Sequence, residues 1–118
     1  MSKLRLQLDA RAFEPGERVT GSVQWDHSRK PADLLRLSLL WHTEGKGDEA
    51  AETVSQIEVR SLSPSGHDRF AFDTPAYPWS FSGKLVSLIW AVEASLEPRG
   101  DLEREESVIA PGRVERRI

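Results

Sequence analysis

The chain has 118 residues, a mass of 13.3 kDa and a formal charge of −3, from 16 basic and 19 acidic side chains. Since domains cluster near roughly 100–150 residues, we predict a single domain over residues 1–118. The lack of cysteine excludes disulfide scaffolds, cysteine-bound metals and thiol chemistry, and the lack of a basic excess argues against nucleic-acid binding.

Apolar residues recur at every second position along most of the chain, which is the period of a β-strand. The first run, residues 4–9, alternates strictly, so we predict a strand there and not an export signal, which needs about 7–15 consecutive apolar residues. Helical propensity is confined to residues 47–54. Six further alternating runs predict strands at residues 18–25, 35–41, 54–62, 67–73, 84–96 and 101–109.

Two segments between these strands are predicted loops. Residues 43–51 contain Gly45-Lys46-Gly47, which is too short for a phosphate-binding loop and is interpreted as a flexible loop. Residues 74–83 contain Pro75 and Pro78, which lack a backbone donor and exclude an internal strand.

Seven short strands separated by turns are typical of two packed antiparallel sheets. We therefore predict an all-β fold, an immunoglobulin-like antiparallel β-sandwich of about seven strands. Trp25, Trp41 and Trp90 each continue an apolar stripe and are predicted core residues. Gly21 lies inside a strand, where glycine usually marks a close approach, and Trp90 is the natural residue to pack over it.

The three histidines do not form a recognisable catalytic or metal-binding pattern. His27 and His67 each have an adjacent aspartate, but neighbouring residues of a strand point to opposite faces. His42 is interpreted as a residue at the rim of a strand end, and no histidine pair has the short spacing typical of zinc ligands. We therefore predict no catalytic residue, no metal and no cofactor.

Tyr77 and Trp79 lie two residues apart in the proline-bounded segment. Two interpretations remain open for Trp79. It can be buried as an anchor of the segment, or it can be exposed beside Tyr77, where the pair would contact a partner protein or stack on a sugar ring. The terminal arginines, Arg113, Arg116 and Arg117, are predicted to be solvated.

Several segments also resemble motifs of a known protein family, and they occur in the same order along the chain. They are FEPGERVTGSV at 13–23, FAFDTPAYPWSFSG at 70–83 and LIWAVE at 88–93, with a matching strand and loop at 37–45. In order and spacing, over residues 4–96, they resemble the amino-terminal domain of arrestins. The resemblance implies an arrestin-like sandwich and a non-enzymatic adaptor that binds membrane proteins or trafficking complexes. Arrestins carry two such sandwiches, so their two-domain mechanism is not implied here.

The predicted function is a non-catalytic protein-interaction or adaptor module. An unpaired sheet edge would bind a partner strand, and the loops 43–51 and 75–83 would supply specificity through Lys46, Tyr77 and Trp79. The partner strand can equally come from a second copy of this chain. The alternative is a carbohydrate-binding sandwich that uses Tyr77 and Trp79 as a stacking platform. No apolar run approaches the roughly 20 residues needed to cross a bilayer, and we expect a cytoplasmic protein.

Overall fold

A computed structural model describes residues 4–27, 32–46, 49–98 and 100–117, and it consists almost wholly of β-strands. The long strands are β1 (Leu4–Leu8), β3 (Arg18–Asp26), β4 (Leu34–Gly45), β5 (Ala51–Arg60), β6 (Ser65–Asp73), β8 (Val86–Glu97) and β9 (Asp101–Ile109). Between and after them lie the two-residue strands β2 (Ala12–Phe13), β7 (Phe81–Ser82) and β10 (Arg116–Arg117). A single 3₁₀ turn, Pro111–Arg113, is the one helical element among these residues. The predicted all-β class is confirmed.

The strands form two sheets. The small sheet has the antiparallel order β1-β3-β6, and the large sheet has the order β10-β7-β8-β4-β5. Strand β8 is central to the large sheet, since it pairs with β4 along one side and with β7 and then β9 along the other. The chain crosses between the sheets early, because β1 pairs with β3 whereas β2 pairs in parallel with β9.

The core lies between the two sheets and follows the predicted alternation. Trp90 of β8 and Phe72 of β6 are the largest side chains that are almost completely shielded from solvent. Fully burying an aliphatic or aromatic side chain of this kind contributes about 1.5–3 kcal/mol, so the shared interior holds the sheets together. Trp25 is also buried, while Trp41 packs against the core and stays half-buried. The remaining residues with at most 2% exposure are Leu4, Leu35, Leu39, Leu96, Ile109, Val19, Val23, Val92, Ser80, Ala91, Ala94 and Ala110.

Gly21 is required by a close approach, but its neighbour differs from the predicted one. The register pairs Gly21 with Leu8 on one side and with Phe70 on the other. A Cβ atom at Gly21 would lie 2.7 Å from Cζ of Phe70 and would also collide with the carbonyl oxygen of Gln7. The prediction of Trp90 as the packing partner was wrong, because the ring of Phe70, from the adjacent strand β6, occupies the space over Gly21.

Strand β5 occupies part of the segment with helical propensity. It begins at Ala51 and pairs with β4 over its whole length, with a bulge opposite Leu39 and Leu40. Tertiary pairing overrides a short local preference here, because a two-turn helix is marginal without packing. Residues 47 and 48, which belong to the predicted loop 43–51, lie outside the described residues. Within the described ranges, no helix is long and apolar enough to cross a membrane.

Candidate functional site

The proline-bounded segment before β7 is tethered to the sandwich at two points. Nε1 of the buried Trp90 donates a hydrogen bond to the carbonyl oxygen of Pro78 at 3.0 Å. Ser80 is also buried: its amide donates to the carbonyl oxygen of Ile109 at 2.8 Å, and the Ile109 amide donates to the Ser80 hydroxyl oxygen at 3.0 Å. Residues 74–80 therefore leave the sheet ladder, as predicted, while their base stays fixed. The prediction was wrong for Phe81 and Ser82, which form β7 and pair with both β8 and β10.

Tyr77 and Trp79 both reach the surface of this segment. Tyr77 is 76% exposed and Trp79 is 38% exposed. The Trp79 indole donates to the carbonyl oxygen of Ala76 at 2.7 Å, and the Arg116 guanidinium carbon lies 5.3 Å from the ring centroid. Such an arrangement is a cation–π contact, so one face of the Trp79 ring is covered by the protein's own arginine. Tyr77 is the more accessible of the two aromatic rings.

The carboxy-terminal segment is held more firmly than the prediction of solvated arginines implied. Arg113 forms an ion pair with Glu17 at 2.9 Å, and the Gly112 amide donates to Glu14. The pKa of the Glu17 carboxyl is lowered, first by the hydrogen bond from the Glu14 amide and then by the bond from Arg113. The side chains of Arg113 and Arg116 therefore contact the folded body, and Arg117 pairs with Ser82 of β7 through the backbone of β10.

Lys46 lies in a different place from the aromatic pair. It is exposed, and its amide donates to the carbonyl oxygen of Leu85 at 2.7 Å, at the start of β8. A side chain at the preceding Gly45 would collide with that same carbonyl group, which explains the glycine. Trp79 instead precedes β7, whose Phe81 lies opposite Leu88 further along β8. The structure therefore exposes all three predicted contact residues without gathering them into one patch.

Three long strands have a free edge among the described residues, since β5 pairs only with β4, and β1 and β6 each pair only with β3. Their apolar side chains differ in burial. Phe70 and Phe72 of β6 are already buried, whereas Val54, Ile57 and Val59 of β5 are half-buried. A strand added beside β5 would therefore cover apolar surface that the sandwich itself leaves exposed.

A cluster that sequence reasoning missed lies on the outer face of the large sheet. It comprises His42 and Glu44 of β4 and Glu106 of β9, and their nitrogen and oxygen atoms all lie within 4.8 Å of one another. Nε2 of His42 lies 3.1 Å from a Glu44 carboxylate oxygen. Spacing along the chain signals only the first two residues. Glu106 joins them through strand pairing, which no local pattern reveals.

Comparison with known proteins identifies the fold and no more. No protein-family model matches the sequence, and neither does any curated protein. Spo0M, a sporulation control protein from Bacillus subtilis, has a similar structure, with a TM-score of 0.65 and 20% identity over 92% of this chain. The chain spans 49% of the length of Spo0M. A β-glucosidase from Listeria innocua, in complex with gluconolactone, matches with a TM-score of 0.51 and 13% identity over 92% of this chain and 16% of the enzyme.

Proposed function

We propose that the chain is a non-catalytic protein-interaction module that pairs the edge of β5 with an extended segment of a partner protein. The observation that carries the proposal is the combination of a ten-residue edge strand, paired on one side only, with three half-buried apolar side chains, Val54, Ile57 and Val59. Backbone hydrogen bonds to such an edge provide affinity, and alternate side-chain contacts provide specificity.

The edge carries features that make indiscriminate pairing unfavourable. A bulge interrupts the β4–β5 ladder beside Val54, and charged side chains stand at Glu52, Glu58 and Arg60. Bulges and charges are the usual protection of an edge strand against aggregation. A partner must therefore match both the bulge and the charge pattern, which favours a specific segment.

The loop before β5 supports the same surface. Its stem is closed by hydrogen bonds between Thr43 and Ala50, from the Thr43 amide to the Ala50 carbonyl and from the Ala50 amide to the Thr43 hydroxyl, both at 2.8 Å. Lys46 stands exposed in this loop, so it offers a cation to an acidic side chain of the partner. Tyr77 and Trp79 precede β7, which lies toward the opposite edge of the large sheet from β5, and they would form a separate contact.

The sandwich resembles that of Spo0M, and the role of that protein as a sporulation control protein fits a regulatory interaction better than catalysis. We place the interaction in the cytoplasm, with a protein partner that includes membrane proteins by analogy with arrestin-like adaptors. In the carbohydrate-binding alternative, a sugar ring could stack only on Tyr77 and on the face of the Trp79 ring that Arg116 leaves uncovered.

The test begins with capture of partners from native lysate with membranes solubilised. Hydrogen–deuterium exchange of the purified complex then locates the contact. We expect the backbone amides of β5 to exchange more slowly in the complex and those of β6 to be unchanged, since only β5 would gain hydrogen-bond acceptors. Protection confined to β6 or to residues 75–83 would contradict the proposal.

Matched variants sharpen this test. Val59→Lys places a charge on the half-buried face of the edge strand β5. Ala71→Lys places the same charge on the exposed face of β6. We expect Val59→Lys to abolish capture while Ala71→Lys retains it, with folding of both verified by circular dichroism. If sedimentation velocity shows a dimer that Val59→Lys dissociates, the partner is a second copy of this chain.

A further inference from the structure

The cluster of His42, Glu44 and Glu106, here called the His42 cluster, is independent of the proposed interaction edge. His42 and Glu44 lie two residues apart on β4 and therefore share one face of the strand. Glu106 comes from β9, on the far side of β8. Three side chains from two strands thus meet over the strand between them.

The register of β8 explains how they can meet. Ala91 of β8 lies opposite Leu40 of β4 on one side and opposite Glu106 on the other. His42 and Glu44 lie opposite Ile89 and Ser87, further along β8. Because the alanine side chain ends at Cβ, the long Glu106 side chain can pass diagonally over β8 toward His42, and one ligand atom from each of the three residues lies within 4.8 Å of the other two.

The donor set is chemically suited to a metal ion. The His42 side chain is only 16% exposed, and its Nδ1 atom is buried without a hydrogen-bond partner among the described residues. A half-buried imidazole that is incompletely hydrogen-bonded differs from an ordinary solvated histidine. One imidazole nitrogen with two carboxylate oxygens is a ligand set that zinc and similar divalent ions accept.

The charges of this region also favour a cation. His42 and Glu44 line a shallow recess that Arg104 also lines, but the Nε atom of Arg104 donates to Glu93 at 2.7 Å. Glu106 has no ion-pair partner among the described residues, and Glu49 lines the recess as a further carboxylate. Carboxylates brought close together repel each other, and a divalent ion between them removes that repulsion.

We propose that the His42 cluster binds one divalent metal ion, with Zn²⁺ preferred. His42, Glu44 and Glu106 supply protein ligands, and water completes the coordination shell at this open surface. Zinc is preferred over Mg²⁺ and Ca²⁺ because those ions favour oxygen ligands alone, whereas this set includes a nitrogen. The sequence predicted no metal because its spacing shows the His42–Glu44 pair without the third ligand.

The proposal is tested by calorimetric titration of ZnCl₂ into the untagged full chain after chelator treatment and dialysis. We expect a single saturable site with one Zn²⁺ per chain. Glu106→Gln removes a ligand from an exposed position and should not disturb folding. It is expected to weaken zinc binding by at least about tenfold, since even indirect partners of metal ligands change affinity by roughly 10–100-fold.

Two matched controls separate the cluster from general surface binding. Glu105→Gln makes the same charge change at the neighbouring residue of β9, whose side chain points to the opposite face, and should leave the affinity unchanged. His67→Gln should also leave it unchanged. The absorption spectrum of Co²⁺, used as a substitute ion, should change with Glu106→Gln and with His42→Gln.

Three results would overturn the site. They are the absence of saturable zinc binding at micromolar protein, unchanged affinity in Glu106→Gln, and an equal loss in Glu105→Gln or His67→Gln. If His42→Gln does not fold, Glu106→Gln and its control still decide the outcome.

Discussion

Trp90 and Pro78 are joined by a hydrogen bond from the indole Nε1 to the carbonyl oxygen, at 3.0 Å. The tryptophan is completely buried between the sheets, whereas the proline belongs to the surface segment that carries Tyr77 and Trp79. A single core side chain therefore fills the interior and also holds the exposed aromatic segment in place. This link makes the stability of the sandwich and the position of the segment interdependent.

Trp90→Phe should lower the free energy of unfolding by about 2–3 kcal/mol, because it opens a cavity and leaves the Pro78 carbonyl without its donor. Urea unfolding measures the loss, and faster amide exchange over residues 75–83 reports release of the segment. Trp41→Phe is the matched control. Its indole nitrogen is buried but has no hydrogen-bond partner among the described residues, so we expect a loss below about 1 kcal/mol. Equal losses would contradict a specific role for the Trp90 bond.

Gly21→Ala should destabilise the fold by about 1–3 kcal/mol, the usual cost of overpacking. The added methyl group would meet the Phe70 ring and the Gln7 backbone, and backbone in a paired strand cannot move aside without breaking the ladder. Thermal unfolding provides the measurement. Ser22→Ala, at the next position and on the other face of β3, should change stability by no more than about 0.5 kcal/mol. A neutral Gly21→Ala variant would show that the Phe70 ring and the Gln7 backbone do not approach Gly21 as closely as described.

Glu17 should make stability depend on pH in the acidic range. Its folded-state pKa is lowered by the Glu14 amide and by Arg113, so its ionised form is stabilised only in the folded protein. That contribution is fully present above the ordinary glutamate pKa of about 4.3 and is lost as the pH falls through the lowered value. Wild type should therefore exceed Glu17→Gln in melting temperature at pH 7, and the difference should vanish well below pH 4. Glu52→Gln, at an exposed position of β5, serves as the control. A difference that persists at low pH would mean that Glu17 acts through packing.

Arg116→Gln should increase the solvent access of Trp79. The guanidinium covers one face of the indole, and exposed cation–π contacts contribute about 0.5–1 kcal/mol, so the effect on overall stability should be small. Acrylamide quenching of tryptophan fluorescence measures the access, with a Trp79→Phe background to identify the responding residue. Arg117→Gln makes the same charge change one residue later and should leave quenching unchanged. Equal quenching in both variants would indicate that the contact does not persist in solution.

Much of the fold could be predicted because apolar and polar residues alternate along the sequence of a strand that has one buried face. The run at residues 101–109 predicts β9 with the observed bounds, and the two prolines correctly predict a departure from the ladder over residues 74–80, before β7 returns to it. The exposure of Lys46 and Tyr77 also agrees with their polar or proline-bounded surroundings. These properties depend on a residue and its neighbours in the sequence, so they can be predicted from the sequence alone.

The contacts that residues make across strands could be learned from the three-dimensional fold alone. Phe70 and not Trp90 packs against Gly21, Arg116 covers Trp79, and Glu106 joins His42. Each of these contacts depends on strand order and register, which are set by the packing of the whole core. Because a shift of one residue in register would turn every side chain of a strand to the opposite face, local patterns determine the strands but cannot determine their partners.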